Sequence, residues 1–301
     1  MKVLVIGRQG QVARSLEQCG QARPHQLIAL GRPDLDMTDA ASVEQALEDI
    51  APDIVVNAAA YTAVDKAESD EANAFQVNSH AVARLAEQTA DRDIPIVHFS
   101  TDYVFDGENR APYIETDAVA PIGVYGHSKL AGEAHIRANN PKHLILRTAW
   151  VYSPFGNNFV KTMLRLAEDR DELGVVSDQV GSPSYAVHLA EGLLDMLDKL
   201  ENSQITAWGT YHMAGTGEAS WADMAERVFA DSASQGGPTA QVKRIKTTEF
   251  PTPAKRPANS RLNTDNLYED WNVRLPDWQA GVQDCVARLL VRSKTDAKGV
   301  T

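Results

Sequence analysis

Five short apolar runs, most of them followed by a stretch with helical spacing, fill the first half of the chain and leave it few ways to fold. The runs fall at residues 3–6, 27–30, 53–56, 94–99 and 144–146, and the helical stretches at 10–20, 38–50, 70–91 and 122–139. A strand apolar on both faces has to be covered on both, and strands joined through helices pair in parallel. The expected fold class is therefore α/β: a doubly wound, Rossmann-like parallel sheet with a smaller α/β C-terminal substrate-binding lobe. Ligands of such sheets gather at the carboxyl ends of the strands. That singles out Gly7–Ala13, Asn57–Thr62 and Ser100–Phe105.

The second half is less regular. Helices are expected at 157–171, 184–200, 220–233 and 277–292, and strands at 173–176, 210–214 and 242–247. Pro251, Pro253 and Pro257 keep their loop from being helical. The expected divisions are a dinucleotide-binding domain over 1–147, with part of 173–200 a candidate to return to it, a substrate lobe over 148–293 and a frayed polar tail over 294–301.

The formal net charge of -12 argues against nucleic acid or an anionic membrane as partner, since both need a basic field. An anionic small molecule, held by a few local cations, stays open. The apolar start is too short for a secretion signal, and no later run reaches the roughly 18 residues of a membrane span. A cytoplasmic protein follows, with Cys19 and Cys285 as free thiols. The histidines at 25, 80, 98, 127, 135, 143, 188 and 212 are scattered without metal-ligand spacing, so no metal is expected in catalysis.

Small residues at Gly7, Gly10 and Ala13 join the first strand to the first helix. Gly7 permits a tight turn, Gly10 lets backbone approach a pyrophosphate, and Ala13 lets the helix pack closely. The helix N-terminus then faces the anion. The second strand ends in Gly31-Arg32 rather than in an acidic residue. Arg32 is either a partner for a 2′-phosphate, which favours NADPH, or a solvated surface group; with Asp34 and Asp36 close by, NADH stays open.

Tyr125 and Lys129 stand four apart and share a helix face. A phenol, whose ordinary pKa is roughly 10, becomes a usable acid–base group when an ammonium beside it favours the phenolate. Such a pair passes a proton to an alkoxide developing as hydride arrives from a nicotinamide. Thr101, at the end of the fourth strand, supplies a hydroxyl to polarise the substrate carbonyl or, failing that, to bond nearby backbone.

At these residues the chain resembles the extended short-chain dehydrogenase/reductase superfamily and, within it, the dTDP-4-dehydrorhamnose reductases. The resemblance runs from residue 1 to about 290. It is carried by the Gly7–Val12 turn, the block Asn57-Ala58-Ala59-Ala60-Tyr61-Thr62-Ala63-Val64-Asp65, the run Ser100-Thr101-Asp102-Tyr103-Val104-Phe105, the Tyr125-Gly126-His127-Ser128-Lys129 helix start and Asp178-Gln179-Val180-Gly181-Ser182-Pro183. It implies Thr101, Tyr125 and Lys129 as the catalytic group, with Tyr125 the proton donor. Gly10, Gln11 and Val12 would meet the pyrophosphate, Asp36 and Met37 would lie near adenine, and Ala60, Tyr61 and Thr62 would line the cofactor channel. The implied substrate is a dTDP-linked 4-keto-6-deoxysugar in contact with Thr101, Asp102 and Trp150, reduced at C4 for cell-surface polysaccharide. The implied protein is a monomer or weak homodimer.

A nucleoside diphosphate gives the basic run Lys255–Arg261 a purpose, through Arg256 or Lys255; a solvated loop is the other reading. Asn158 either bonds the substrate or caps a helix, and Trp150 either stacks on it or belongs to the core. Two other functions remain open at this point: a non-catalytic NADP-binding regulatory protein on the same fold, and a nucleotide-sugar epimerase or dehydratase. Dehydratases of this fold follow the strand-four Thr with Asp-Glu, whereas Asp102 here is followed by Tyr103.

Overall fold

The computed structural model describes residues 1–202 and 207–298, the side chains of 292–298 excepted. The chain opens with β1 (Lys2–Ile6), α1 (Gln11–Gly20), β2 (Gln26–Leu30), α2 (Ala40–Ile50) and β3 (Ile54–Asn57). A short α3 (Val64–Ala67) precedes α4 (Glu71–Phe75) and α5 (Ala81–Asp91). One π-helical turn over Gln76–His80 joins α4 to α5, so the helix predicted over 70–91 is widened midway. Next come β4 (Ile96–Thr101), a 3-10 turn over Asp102–Val104, α6 (Val124–Asn139) and β5 (His143–Thr148). β4 starts two residues later than its apolar run, because Ile94 still closes α5 with a bond from its N–H to Thr89 O at 2.8 Å.

β6 (Val151–Tyr152), α7 (Phe159–Leu166), β7 (Glu172–Val176), β8 (Val180–Gly181), β9 (Ser184–Tyr185) and α8 (Ala186–Glu201) follow. The chain ends with β10 (Gly209–His212), β11 (Ala219–Ser220), α9 (Trp221–Ala233), β12 (Gln241–Ile245), β13 (Asn259–Ser260), α10 (Asp265–Trp271) and α11 (Trp278–Lys298). The tail expected to fray over 294–301 falls on the end of α11, described to Lys298, and on residues 299–301, which lie outside the described ones.

Six strands form one parallel sheet in the order β2-β1-β3-β4-β5-β10. Alternate side chains of each strand point to opposite faces. Val3, Val5, Val56 and Val97 pack with Leu16 of α1 and Leu189 and Leu193 of α8. Leu4, Ile6 and Val55 pack with Val43 and Leu47 of α2 and Leu85 of α5. The sheet is thus doubly wound, and β10 reaches it from the second half, where Thr210 registers with Ile145. A separate core gathers Val160, Leu173, Val228, Val282 and Val286 from α7, β7, α9 and α11.

Candidate active site

The carboxyl ends of β1, β3, β4 and β5 open onto one cavity of about 1020 Å³, whose lining also takes in Trp150, Asn157, Trp221 and Arg256. Gly7 ends β1 at φ 122, and a Cβ there would lie 2.9 Å from Ala59 N, so only glycine fits the turn. Gly10 is the N-cap of α1 and brings no side-chain cap. The first-turn amide hydrogens of α1 are therefore left for an anion, and Gly10, Gln11 and Val12 line the cavity. This uncapped helix end beside a glycine-only turn fits the pyrophosphate of a dinucleotide.

Arg32, Asp36 and Met37 line the outer end of that cavity. The Arg32 guanidinium pairs with Asp36, Nε to Oδ2, at 2.9 Å, and Asp36 also accepts from the N–H and hydroxyl of Thr38. Arg8 lies beside them in an ion pair with Asp34 at 2.8 Å, a second cation on this rim that the glycine pattern hid. Ala60, Tyr61 and Thr62 form the opposite wall. Asn78, in the π turn, accepts from Tyr61 N at 2.8 Å and donates to Tyr61 O and Ser128 Oγ, each at 3.0 Å. The widened turn thereby ties the cofactor wall to α6.

α6 is seated by Gly126, where a Cβ would fall 2.2 Å from Tyr103 O. Tyr125, Lys129 and Thr101 all reach the cavity. Tyr125 is half-buried, its ring edge-on to Tyr103 at 5.5 Å. Burial pushes its phenol above the ordinary value, with the Thr101 side chain in hydrogen-bond reach working the other way. The expectation that a neighbouring ammonium lowers this phenol is not met. Lys129 Nζ is turned to the strand, donating to Phe99 O at 2.7 Å and lying 3.2 Å from His98 Nε2. Burial pulls the Lys129 ammonium down to about 8, against the attraction of Glu133.

Thr101 donates from its hydroxyl to Asp102 Oδ1 at 2.9 Å and accepts from Tyr103 N at 3.2 Å. Asp102 is buried, and burial raises its carboxyl to about 6, against the Thr101 bond. Its Oδ2 and the Thr148 hydroxyl are buried with no partner among the described residues, both on residues of the cavity wall. Trp150 sits at φ 47 and stacks on Trp221, centroids 3.5 Å apart and planes 5° apart. Arg256 donates to Tyr103 Oη at 2.8 Å and to Asp65 Oδ2 at 2.7 Å. Lys255 is exposed and not part of the lining.

One predicted residue is placed elsewhere. Asn158 does not line the cavity: it caps α7 through Lys161 N, and its amide donates to Gln11 Oε1, Ser153 O and Phe155 O. Those bonds occupy the group that a substrate would need. Tyr103, Thr148, Trp221 and Arg8 line the site without having been singled out. Tyr103 was readable from its place beside Thr101 and Asp102; Trp221 stands at the start of a distant helix and carries no local signal.

The sequence model of the family described as the RmlD substrate binding domain matches residues 1–291. A dTDP-4-dehydrorhamnose reductase of Sinorhizobium fredii is 46% identical over 296 residues, covering 98% of this chain and 99% of the relative. One of Escherichia coli K12 is 43% identical, covering 94% and 96%. A crystal structure of the Bacillus anthracis dTDP-4-dehydrorhamnose reductase in complex with NADP superposes with a TM-score of 0.87 at 34% identity, covering 95% of this chain and 99% of that one. With sequence match, fold and cavity in agreement, and with dTDP-4-dehydrorhamnose reductases among its relatives, the chain belongs to the RmlD substrate binding domain family.

Proposed function

We propose that this protein reduces the C4 keto group of dTDP-4-dehydro-L-rhamnose to give dTDP-L-rhamnose, using NADPH or NADH, with Tyr125 as proton donor. The observation that carries the reading is the convergence of Thr101, Tyr125 and Lys129 on the cavity that also holds the uncapped N-terminus of α1. Gly10–Val12 and Ala60–Thr62 would hold a nicotinamide cofactor, which would supply the hydride that C4 takes up. Tyr125 is protonated at neutral pH, as any phenol with an ordinary or raised pKa is, so it has a proton to give to O4. The Thr101 hydroxyl, held beside Asp102 and Tyr103 N, turns its one hydrogen from Asp102 Oδ1 to the same oxygen when the substrate binds. Lys129 holds the cofactor ribose and restores the phenol's proton. Arg256 takes the diphosphate, and Trp150 with Trp221 offers a flat apolar wall to the base or sugar.

Residues 1–147, completed by α8 and β10, then serve mainly the cofactor and the rest of 148–293 mainly the substrate. A cytoplasmic setting, supplying nucleotide sugar for polysaccharide, accords with Cys19 and Cys285 standing as free thiols. The deciding experiment is turnover on dTDP-, UDP- and GDP-linked 4-keto sugars with each nicotinamide donor. The dTDP sugar is expected to lead, and Tyr125→Phe to lose about 10²- to 10⁴-fold in kcat. Near wild-type kcat in that variant would show that the roles are misassigned.

A further inference from the structure

Behind the cavity wall, Asn57 at the end of β3, His98 in β4 and Lys129 of α6 form a buried polar line. Neither Asn57 nor His98 touches the cavity. Asn57 Oδ1 accepts from Ala59 N at 3.1 Å, which turns the amide NH2 toward His98. Asn57 Nδ2 lies 3.1 Å from His98 Nδ1, and His98 Nε2 lies 3.2 Å from Lys129 Nζ. An imidazole with no exposed surface stays neutral and carries a single N–H. Because Nδ1 faces a donor, it must be the acceptor, and the ring hydrogen sits on Nε2, aimed at Nζ. An ammonium has no lone pair to receive it. A neutral amine accepts it while still donating to Phe99 O.

We propose that Asn57 and His98 are a positioning pair for Lys129, in which the Nε2–H of His98 fixes Nζ and favours its amine form. The inference rests on the Tyr125–Lys129 reading given above. Each reduction consumes one proton: Tyr125 gives it to O4, the Lys129 ammonium returns one to the phenolate and becomes an amine, and water entering the cavity recharges the amine. A lysine biased toward the amine makes that exchange near neutral pH. Burial draws both groups the same way, Lys129 to about 8 and His98 well below its ordinary value. The other titratable group acting on Nζ is Glu133 on the same helix, neutralised by Arg147 of β5 and Arg137, while Asp102 and Tyr103 act on Tyr125 at the mouth.

Histidine ¹⁵N spectra of the intact wild-type protein read the tautomer directly, with the His98 signals identified by their loss in His98→Gln or their shift in Asn57→Asp. Nε2–H with a bare Nδ1 is expected between pH 6 and 9 (about the range in which the enzyme would work). An Nδ1–H tautomer or an imidazolium overturns the proposal, whether or not either variant folds well enough for kinetics. Asn57→Asp places an acceptor at Nδ1, reverses the ring hydrogen and gives Nζ an acceptor at Nε2. The alkaline limb of its kcat/KM profile should move up by about one pH unit. An unmoved limb, with cofactor affinity retained, overturns the proposal as well. Failure of the underlying reading shows separately, as undiminished turnover in Tyr125→Phe, and leaves the tautomer result standing on its own.

Discussion

Glu133 and Arg147 meet in a two-pronged ion pair sealed from solvent, Nε to Oε1 at 2.9 Å and Nη2 to Oε2 at 2.7 Å. The pair pins α6 to β5, and Ser100 adds a bond from its hydroxyl to Oε1 at 2.5 Å. The helix that presents Tyr125 and Lys129 is thus clamped to the strand end that presents Thr101. Burial alone would raise the Glu133 carboxyl, but Arg147, Ser100 and Arg137 outweigh it and hold the carboxyl below its ordinary value. A depressed folded value gives stability that is present above the unfolded pKa and lost as pH falls through the folded one. Glu133→Gln leaves Arg147 buried and uncompensated and should cost about 3–5 kcal/mol in urea unfolding at pH 7. The loss should shrink in acid, where the wild type also gives up its carboxylate. Equal stability at pH 7 would mean that the pair contributes nothing.

Asp65 holds Arg256 from the cofactor side of the cavity, Nη2 to Oδ2 at 2.7 Å, while Tyr103 takes Nη1. Both members of the ion pair are partly exposed, so its value lies in orientation more than in energy. An arginine held in place loses less freedom when it meets a diphosphate. Asp65→Asn should raise KM for the sugar nucleotide about fivefold, with kcat and the KM for NADPH little changed. If KM stays put in Asp65→Asn but rises in Arg256→Ala, the aspartate has no part in orienting the arginine.

At the outer rim Arg32 leans on Asp36, and Arg8 on Asp34. A 2′-phosphate gives both guanidinium groups a stronger partner than a single carboxylate. Arg32→Ala is expected to raise KM for NADPH about tenfold and to leave that for NADH nearly unchanged. An unaltered NADPH/NADH ratio removes Arg32 from cofactor selection, and the same measurement on Arg8→Ala then tests its neighbour.

What the sequence made legible was whatever is decided locally. The apolar run Val3–Ile6 followed by Gly7 and Gly10 announces a strand, a turn and a helix start, because each depends on neighbours a few residues away. The four-residue spacing of Tyr125 and Lys129 likewise places both on one face. It does not tell where Nζ points, since Phe99 O and His98 come from a strand paired across the sheet. β8, β11 and β13 are two-residue ladders with no period to read, and the Trp150–Trp221 stack joins segments far apart in the chain. Asn158 was ambiguous from the start, because a capping amide and a ligand-binding amide look alike until their partners are seen.

Asp102 offers the last test, since it pays a burial penalty that a neutral side chain would escape. Burial raises its carboxyl to about 6, above the value near 3.9 of an unfolded chain. A raised folded value means that the protonated acid suits the native state. The stability it gives is full below the unfolded pKa and lost as pH climbs through about 6. Asp102→Asn keeps an acceptor for the Thr101 hydroxyl and removes the charge. The variant should therefore be more stable than wild type by about 2 kcal/mol at pH 7.5 and close to equal at pH 4. Its KM for the sugar nucleotide should rise if the free carboxylate oxygen accepts a sugar hydroxyl, so the stability gain comes with weaker binding. Thermal unfolding at the two pH values decides the first part: a variant less stable at pH 7.5 than at pH 4, relative to wild type, would place the Asp102 proton affinity on the other side of its ordinary value.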